Sequence, residues 1–356
     1  MCLHLSMAAS LLGIIQTMDF TLHQTFPEDL KSDWNELLTE SILNVPFLRF
    51  EYLKGWWQTR GGGEWPQDSQ LVLVTAHQND ALVGVAPLFS AQYEGQPSLL
   101  FLGSIEISDF LSFIVRPQDL QSFLSGLLDF LCNFDQVPAW QVLDLHNNLS
   151  IAGLPDALEA EAIRRSWQYR CEQSYHAPVI CLPDDWDGYL AGLDKKQRHE
   201  IRRKIRRLEE ADPSTRWYIV SEGTTLAEES QAFLQLMAHD PQKEVFLSGS
   251  MHQTMLETIQ SAFDAGYLQL AFLEINGKKA AAYLNFDFDD RLWVYNSGID
   301  PEFYPYSAGW VLLAYLLQWS IENKRTAFDF LRGNEDYKYR FGATDRFVYR
   351  IRLTRP

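Results

Sequence analysis

A run of polar and charged side chains follows an apolar, strand-like segment near the C-terminus of the sequence. Asp329 stands between Phe328 and Phe330, so in a strand its side chain points to the face opposite theirs. A carboxylate in an apolar setting has a raised pKa, which suits a general base that takes a proton from an ammonium substrate. The alternative is a structural acid paired with a nearby arginine. The segment after the strand adds four candidates, Arg332, Glu335, Tyr337 and Lys338.

A second group of candidates precedes this segment. It consists of Tyr295, Asn296 and Ser297 in a strand-like run, and Ser307, Ala308 and Gly309 at the start of a helix-like stretch. Small residues at a helix start let backbone N–H groups approach a phosphate at the positive end of the helix dipole. Alternatively, Ser307 caps the helix and Gly309 serves packing. Tyr295 and Asn296 could place polar groups next to the carbonyl of an acyl substrate. Equally, they could be ordinary half-buried strand residues.

A basic block interrupts a chain that is otherwise acidic. From Lys195 to Arg207 the sequence reads KKQRHEIRRKIRR, eight basic residues against Glu200, which gives a local charge of +7. The whole chain carries −17, so the remainder carries −24. The apolar spacing predicts an amphipathic helix whose stripe consists of Leu193, Ile201, Ile205 and Leu208.

Three interpretations of this helix are open. It is a solvated brace that pairs with the acidic surface, a site for a polyanion such as tRNA, a nucleotide-linked sugar or coenzyme phosphates, or a membrane-surface helix. The second interpretation makes Arg198 and Arg202 substrate-binding candidates. The third is the weakest, because the basic run contains no Trp or Phe anchor.

Length and composition exclude several classes of protein. The chain has 356 residues, of which 46% are hydrophobic and 13% aromatic, enough for two domains and too apolar for a disordered or collagen-like protein. The net charge opposes nonspecific binding of DNA or anionic membranes. Four cysteines without a C-x-x-C pair fit a reducing compartment, so the expected location is the cytoplasm.

No membrane span, secretory signal or metal site is expected. No apolar stretch approaches the roughly 18 residues that a transmembrane helix needs. The apolar run from Leu11 to Ile15 has no Lys/Arg-rich region before it, so we expect Met1–Thr17 to be an ill-ordered extension. The eight histidines show no metal-ligand spacing.

Sequence patterns that predict helices and strands occur in the same order in both halves of the chain. Each half reads as two helices, an antiparallel meander, one crossover helix and a further strand. The strand-like runs begin at Gln70, Ala81, Ser98, Asp109 and Trp140 in the first half, and at Leu268, Ala280, Leu292, Ala327 and Val348 in the second. A crossover helix makes the strands that it joins parallel, so the pattern predicts an α/β fold built twice.

This order and several motifs resemble the GNAT acyltransferase superfamily, in particular its double-domain branch of FemABX peptidyltransferases and CelD-like acetyltransferases. The matching motifs are ALVGVAPLF, LLFLG and SDFLSFIV in the first half, LDKKQRHEIRRKIRRLE at the junction, and YNSGIDPEFYPYSAGWVLLAYLLQWS with FDFLRGNEDYKYRFG in the second. They extend from about Phe47 to Leu353. The resemblance implies tandem GNAT-like domains, each a mixed, centrally antiparallel sheet with a splayed parallel strand pair flanked by helices.

The expected domain division follows from the repeat and from the resemblance. It comprises a disordered extension over residues 1–18, an N-terminal GNAT-like domain over 19–183, a basic helical junction over 184–213 and a catalytic C-terminal GNAT-like domain over 214–356.

The resemblance also implies roles for the candidate residues. In such enzymes the acyl carrier enters the cleft between the splayed strands, which implies that Tyr295, Asn296, Ser297 and the loop Ser307–Gly309 bind the donor. By similarity to the G-x-x-x-Y-K element, Tyr337 and Lys338 would face the cleft, and Lys338 would stabilise the donor or the oxyanion. Asp109 would grip the acceptor where the domains meet, or is a turn aspartate. One departure is the loop Tyr304–Gly309, which lacks the family's usual Arg or Gln followed by glycines.

The sequence therefore predicts a cytoplasmic, acyl-CoA-dependent N-acyltransferase. It would move an acyl group, in the first instance acetyl, to an amine of a sugar nucleotide, polysaccharide or cell-envelope precursor by direct attack. No cofactor is expected to be tightly bound, and acetyl-coenzyme A is the expected co-substrate. The expected partners are a small-molecule donor and acceptor, without DNA or integral membrane contact, and the expected state is a monomer or weak dimer.

Two alternatives remain. An aminoacyl-tRNA-dependent peptidyltransferase of the FemABX type would use the basic helix directly and would have tRNA as a partner. A non-catalytic GNAT-like pair would serve as a scaffold in envelope or exopolysaccharide synthesis.

Overall fold

Two mixed β-sheets flanked by helices make up the computed structural model, which describes residues 18–149 and 153–356. The expected N-terminal extension lies outside these residues except at Met18. The strands are β1 (Asp19–His23), β2 (Gln70–Gln78), β3 (Ala81–Tyr93), β4 (Gln96–Phe101), β5 (Ile114–Val115), β6 (Val142–Leu149), β7 (Gln168–His176), β8 (Val179–Cys181), β9 (Arg216–Ile219), β10 (Leu268–Ile275), β11 (Lys278–Phe288), β12 (Arg291–Ile299), β13 (Ala327–Asp329) and β14 (Phe347–Thr354).

Helices cover the sheets and connect their strands. They are α1 (Lys31–Thr39), α2 (Phe50–Gly63), α3 (Leu120–Asn133), α4 (Leu154–Arg165), α5 (Trp186–Gly192), α6 (Lys195–Ala211), α7 (Gly223–Met237), α8 (Pro241–Phe246), α9 (Met251–Asp264), α10 (Ala308–Glu322) and α11 (Asp336–Arg340). None of these helices combines the length and the apolar character that crossing a membrane requires.

The two sheets share one internal plan. The first has the order β1-β2-β3-β4-β6-β14-β7 with β5 attached to β3, and the second has the order β8-β13-β12-β11-β10-β9. In each sheet an antiparallel meander ends in a strand that pairs in parallel with the strand after a crossover helix. These parallel pairs are β4 with β6 across α3, and β12 with β13 across α10. The predicted fold class, two mixed sheets each with a splayed parallel pair, is confirmed.

Each sheet receives one strand from across the predicted domain boundary. The last strand, β14, lies in the first sheet between β6 and β7, although its sequence position suggested the second half. In turn β8 pairs with β13 in the second sheet, antiparallel over Val179–Cys181. The chain thus crosses between the halves more than once, and the polypeptide itself ties the two sheets together.

The structure differs from the sequence prediction at several elements. The run from Asp109, predicted as a strand, is a loop up to Phe113, and only Ile114–Val115 pairs with β3. Strands β1 and β7 and the short helices α8 and α11 were not predicted. Strand β7 is mostly exposed, so it lacks the apolar alternation that reveals a half-buried strand.

The predicted basic helix is present as α6. Asp194 caps it by accepting the N–H of Gln197, and it ends before Pro213. Ile201 and Leu208 are fully buried, while Leu193 and Ile205 pack against the same core from partly buried positions, so the predicted apolar stripe is confirmed.

Aromatic packing joins the two halves beside the parallel strands of the second sheet. Phe47 of the first half lies 5.8 Å from Tyr295 of β12, measured between ring centroids, and Phe110 lies 6.1 Å from Trp293. Phe47 and Phe110 are fully buried and belong to a core that spans both halves. This shared core fixes the loop after β4 against the second sheet.

Candidate active site

A cavity of about 390 Å³ lies between the two halves, at the point where β12 and β13 separate. β13 pairs with β12 only over Arg291–Trp293, so within the described chain the segment Val294–Ile299 has β11 alone as a strand neighbour. Its residues Val294 to Ser297 line the cavity, which Glu106, Ile107 and Asp109 of the first half close from the other side.

A β-bulge interrupts β12 at the cavity wall. The register against β11 shifts between Val294 and Asn296, which leaves Tyr295 as an extra residue. Such a bulge re-aims side chains and frees backbone groups from the ladder. The Oδ1 atom of Asn296 accepts the N–H of Ser297 at 2.9 Å, and its carboxamide nitrogen remains an unused donor among the described residues.

Six charged side chains line the cavity, and four of them form ion pairs. These residues are Glu106, Asp109, Lys243, Arg332, Glu335 and Lys338. Arg332 pairs with Asp109 across the two halves, and Lys338 pairs with Glu335 at 2.9 Å. Lys243 and Glu106 have no ion-pair partner among the described residues, so they are the free charges of the cavity.

The ammonium of Lys338 is fixed in the cavity wall. Its Nζ donates to the carbonyl oxygens of Arg332 at 2.8 Å and Gly333 at 3.2 Å, in addition to the pair with Glu335. The residue is only 3% exposed. The segment after β13 forms the short helix α11 here, which holds Tyr337 and Lys338 at the cavity.

Lys243 is a cavity residue that the sequence analysis missed. Asp240 caps α8 and Pro241 occupies its first position, and this turn directs Lys243 to the open edge of β12. There Nζ donates to the Ser297 carbonyl at 2.6 Å. Burial lowers the pKa of the Lys243 ammonium, while the carboxylates of Asp240 and Glu335 oppose that shift. The one sequence signal that pointed to this helix was the Asp240-Pro241 pair, which is typical of a helix start.

Of the three tyrosines that line the cavity, Tyr295 and Tyr337 differ in their hydrogen bonds. Tyr295 donates its hydroxyl to the carbonyl of Ile107 at 2.8 Å and so links the halves. The hydroxyl of Tyr337 makes no hydrogen bond among the described residues, and its ring packs edge-on against Phe330. Burial raises the pKa of both hydroxyls, which keeps them protonated at neutral pH.

Asp329 lies outside the cavity. Its side chain is fully buried, with Oδ2 on Arg346 at 2.5 Å and Oδ1 accepting the N–H of Leu331 at 3.0 Å. Burial raises its pKa, and the Arg346 guanidinium opposes the shift. These contacts are those of the structural acid paired with an arginine, so the geometry does not bring Asp329 to the reacting groups.

The predicted phosphate loop lies away from the main cavity. A small cavity of about 60 Å³ leads from Ser297 along β12 to Tyr304, just before α10. Ser307 adopts a left-handed backbone conformation and its side chain does not cap α10. A methyl group on Gly309 would lie 2.4 Å from the Cδ1 atom of Ile299, so this glycine packs closely against that side chain, which a larger residue would displace.

The basic helix α6 lies beside the start of α10, and its two predicted substrate residues do not line the cavity. Arg198 donates weakly to the carbonyls of Leu190 and Ala191, at 3.3 and 3.4 Å. Arg202 is 3.8 Å from Asp187. Another residue of the helix, Lys204, places its Nζ 3.9 Å above the ring of Trp310 in the first turn of α10.

The corresponding cleft of the first half is filled by the chain itself. β4 and β6 also separate after three paired residues, but the loop between Leu102 and Phe113 enters the gap. The N–H of Leu111 donates to the Asn147 carbonyl at 2.8 Å, and Asn147 Nδ2 donates to the carbonyls of Ile105 and Ser108 at 2.8 and 2.7 Å. Only the second sheet therefore keeps an open cleft in the described residues.

A bulged strand that diverges from its parallel neighbour over a polar cavity defines the GNAT class of fold. Residues 195–339 match the family model described as "Acetyltransferase (GNAT) domain". This match supports a transferase acting on acyl or aminoacyl groups. A comparison with curated proteins found no match to the sequence.

Solved structures with the same two-domain fold cover nearly the whole chain. FemX matches with a TM-score of 0.66 at 10% identity, covering 93% of this chain and 96% of FemX. A conserved protein of unknown function from Bacteroides thetaiotaomicron matches with a TM-score of 0.61 at 13% identity, covering 95% and 100%. L-PGS from Bacillus licheniformis matches with a TM-score of 0.55 at 12% identity, covering 94% of this chain and 93% of L-PGS. The expected likeness to the double-domain GNAT and FemABX branch is confirmed at the level of the fold.

Proposed function

We propose that this chain is an N-acyltransferase that moves an acyl group, in the first instance acetyl from acetyl-coenzyme A, to an amine. The observation that carries the proposal is the open segment of β12, whose bulge at Tyr295 faces a cavity that also holds Tyr337 and Lys338. Acyl transfer needs donors for the oxyanion, an acceptor for the amine proton and an acid for the leaving group. The cavity contains groups suited to each task.

In the proposed reaction the acceptor amine attacks the acyl carbonyl directly. Glu335 receives the amine proton, because its cavity carboxylate is exposed and lies beside Lys338 and Tyr337. The carboxamide nitrogen of Asn296 and the ammonium of Lys338 stabilise the oxyanion. Tyr337 then protonates the leaving thiolate of coenzyme A through its unused hydroxyl. Asp329 has no part in this scheme.

The proposed acceptor is an amine on a sugar nucleotide, polysaccharide or cell-envelope precursor, as the resemblance implied. The free charges of the cavity, Glu106 and Lys243, suit an acceptor that carries polar groups besides its amine. The proposed location is the cytoplasm.

A second candidate is transfer from an aminoacyl-tRNA. It is favoured by the position of α6, whose exposed basic residues stand next to the first turn of α10, and by the similarity of the fold to FemX. A tRNA acceptor arm would bring phosphates to this basic surface, and such binding weakens steeply with salt.

Ligand-dependent melting tests both candidates. Acetyl-coenzyme A at about 100 times its dissociation constant stabilises the folded state by about 2.7 kcal/mol, and release of free thiol in the presence of amino sugars then measures transfer. The proposal fails if neither acetyl-coenzyme A nor coenzyme A raises the melting temperature. Salt-sensitive retention of tRNA would then favour the second candidate, and the absence of any donor effect would favour a scaffold.

A further inference from the structure

The loop after β4 is held between opposite charges from the two halves. On one side the carboxylate of Glu64, at the end of α2, accepts the N–H of Ile105 at 2.9 and 3.1 Å and the N–H of Glu106 at 3.3 Å. On the other side Arg332 donates to the carbonyl of Ile105 at 3.0 Å and to that of Glu106 at 2.6 Å. The peptide group that joins Ile105 to Glu106 thus lies between a carboxylate and a guanidinium, and each of the two also holds one adjoining peptide group.

The same loop forms one wall of the cavity. Glu106, Ile107 and Asp109 line it, and Asp109 pairs with Arg332. The carbonyl of Ile107 accepts the hydroxyl of Tyr295 at the bulge of β12. A shift of the loop would therefore move both Arg332 and Tyr295, which lie on the second sheet's side of the cavity.

We propose that Glu64 is a positioning residue for the transfer reaction: its ionised carboxylate fixes the peptide groups of Ile105 and Glu106 and thereby holds Arg332 and the cavity wall in the active arrangement. The inference rests on the proposed function. Glu64 itself touches no substrate, since it does not line the cavity. Its carboxylate acts because hydrogen bonds from two N–H groups to an ionised acceptor are stronger than those to a neutral one.

The surroundings of Glu64 place its ionisation in the neutral range. Burial raises the pKa of Glu64 to about 7. The two N–H groups of the loop and the Arg332 guanidinium favour the ionised form and partly oppose this shift. The other titratable groups that face it are Glu106, which raises the pKa further, and Tyr93, whose ring also lies under Arg350. The carboxylate is thus lost as the pH falls below 7, and the loop loses its acceptor.

Activity and stability respond to this group with opposite signs. Activity rises with pH through about 7, because the ionised form holds the loop. Stability does the reverse: the folded-state pKa lies above the usual 4.5, so the contribution of Glu64 to the free energy of unfolding falls as the pH rises from 4.5 through 7. If Glu64 only stabilised the fold, activity and the free energy of unfolding would change with pH in the same direction.

The experiment compares wild type, Glu64→Gln and the control Glu51→Gln at pH 6 and pH 8. Glu51 lies on the same helix, accepts from Asn35 and pairs with Arg49, away from the cavity. The protonation of the acceptor amine affects all three proteins alike, so each variant is compared with wild type at the same pH. With acetyl-coenzyme A and an accepted amine, the ratio of kcat/KM in Glu51→Gln to that in wild type should stay constant between pH 8 and pH 6. The same ratio for Glu64→Gln should be low at pH 8 and rise about tenfold at pH 6, because only wild type then loses an ionised carboxylate with a pKa near 7. A constant ratio for Glu64→Gln would overturn the proposal.

Hydrogen exchange provides a second measurement that needs no activity. Amide protection of the segment 104–109, corrected for intrinsic rates, should be several-fold higher at pH 8 than at pH 6 in wild type and in Glu51→Gln. Equal protection at both pH values in wild type would also overturn the proposal. If no donor supports transfer but the protection still follows pH, the proposed function fails while the role of Glu64 in holding the loop stands.

Discussion

Lys243 donates a hydrogen bond from Nζ to the backbone carbonyl of Ser297 at 2.6 Å, on the side of β12 that β13 has left open. The N–H of Ser297 is likewise taken, by Oδ1 of Asn296. Both hydrogen-bonding groups of this strand residue are therefore satisfied by side chains of the chain itself. An acyl donor whose amide groups form hydrogen bonds with the strand edge at Ser297 must therefore displace the side chains of Lys243 and Asn296.

We expect Lys243→Met to strengthen binding of acetyl-coenzyme A. The variant frees the Ser297 carbonyl at the cost of about one hydrogen bond, worth about 1 kcal/mol, so the dissociation constant should fall by about fivefold. Calorimetric titration measures it. Lys279→Met is the matched control, because Lys279 is a partly buried lysine that pairs with Glu229 outside the cavity. An unchanged affinity in Lys243→Met would mean that the donor does not use the Ser297 carbonyl.

Lys338→Met should lower kcat by about 100-fold or more, because it removes a fixed positive charge from the place where the oxyanion forms. The KM values should change much less. Steady-state kinetics measures the split between kcat and KM. Some loss of stability is expected as well, since the carbonyls of Arg332 and Gly333 lose their donor.

Lys279→Met again provides the control. Wild-type turnover by Lys338→Met would remove Lys338 from the mechanism. Inactivity accompanied by loss of the folded state at 25 °C would assign the lysine to the stability of the loop instead.

The sequence predicted the repeat but could not predict how the halves share strands. The alternation in VYRIRL identifies β14 as a strand, yet a periodic pattern carries no information about its partner, and β14 pairs with β6 and β7 rather than with β13. Likewise the three-residue strand β8 is too short for its pattern to reveal that it completes the second sheet.

The candidate site was predictable where residues are adjacent in sequence to the diverging strands. Asn296, Tyr337 and Lys338 are of this kind, and all three line the cavity. Lys243 and Glu64 were missed because their importance arises from tertiary contacts. Asp329 is buried, as an apolar strand suggests, but its pairing with Arg346, which lies 17 residues further along, could not be predicted from the strand pattern.

Asp329→Asn should leave kcat within about twofold of wild type, whereas loss of a general base costs about 100- to 10,000-fold. Its effect on stability depends on pH. Burial raises the folded-state pKa above the usual 3.8, so wild type loses stability relative to the neutral variant as the pH rises through that pKa.

Chemical unfolding of wild type and Asp329→Asn at pH 4 and pH 7 measures this difference. Glu335→Gln is the paired variant, because the proposed mechanism expects it, and not Asp329→Asn, to lose activity. A large loss of kcat in Asp329→Asn with the fold intact would return Asp329 to the candidates for the base.

Two tyrosines of the cavity, Tyr295 and Tyr337, allow a matched comparison of the leaving-group acid. Tyr337→Phe should lower kcat by about 100-fold or more with little change in melting temperature, because its hydroxyl makes no hydrogen bond among the described residues. Tyr295→Phe should instead lose about 1 kcal/mol of stability, because its hydroxyl donates to the Ile107 carbonyl across the two halves.

Kinetics and melting of both variants, measured in the same buffer, separate the two roles. A donor with a better leaving group, such as an aryl thioester, should restore much of the rate in Tyr337→Phe, because a more acidic thiol needs less help from an acid. Tyr295→Phe should gain nothing from that donor beyond the wild-type response. If the aryl thioester fails to rescue Tyr337→Phe, the hydroxyl does not protonate the leaving group, and its effect on kcat must come from positioning the substrate.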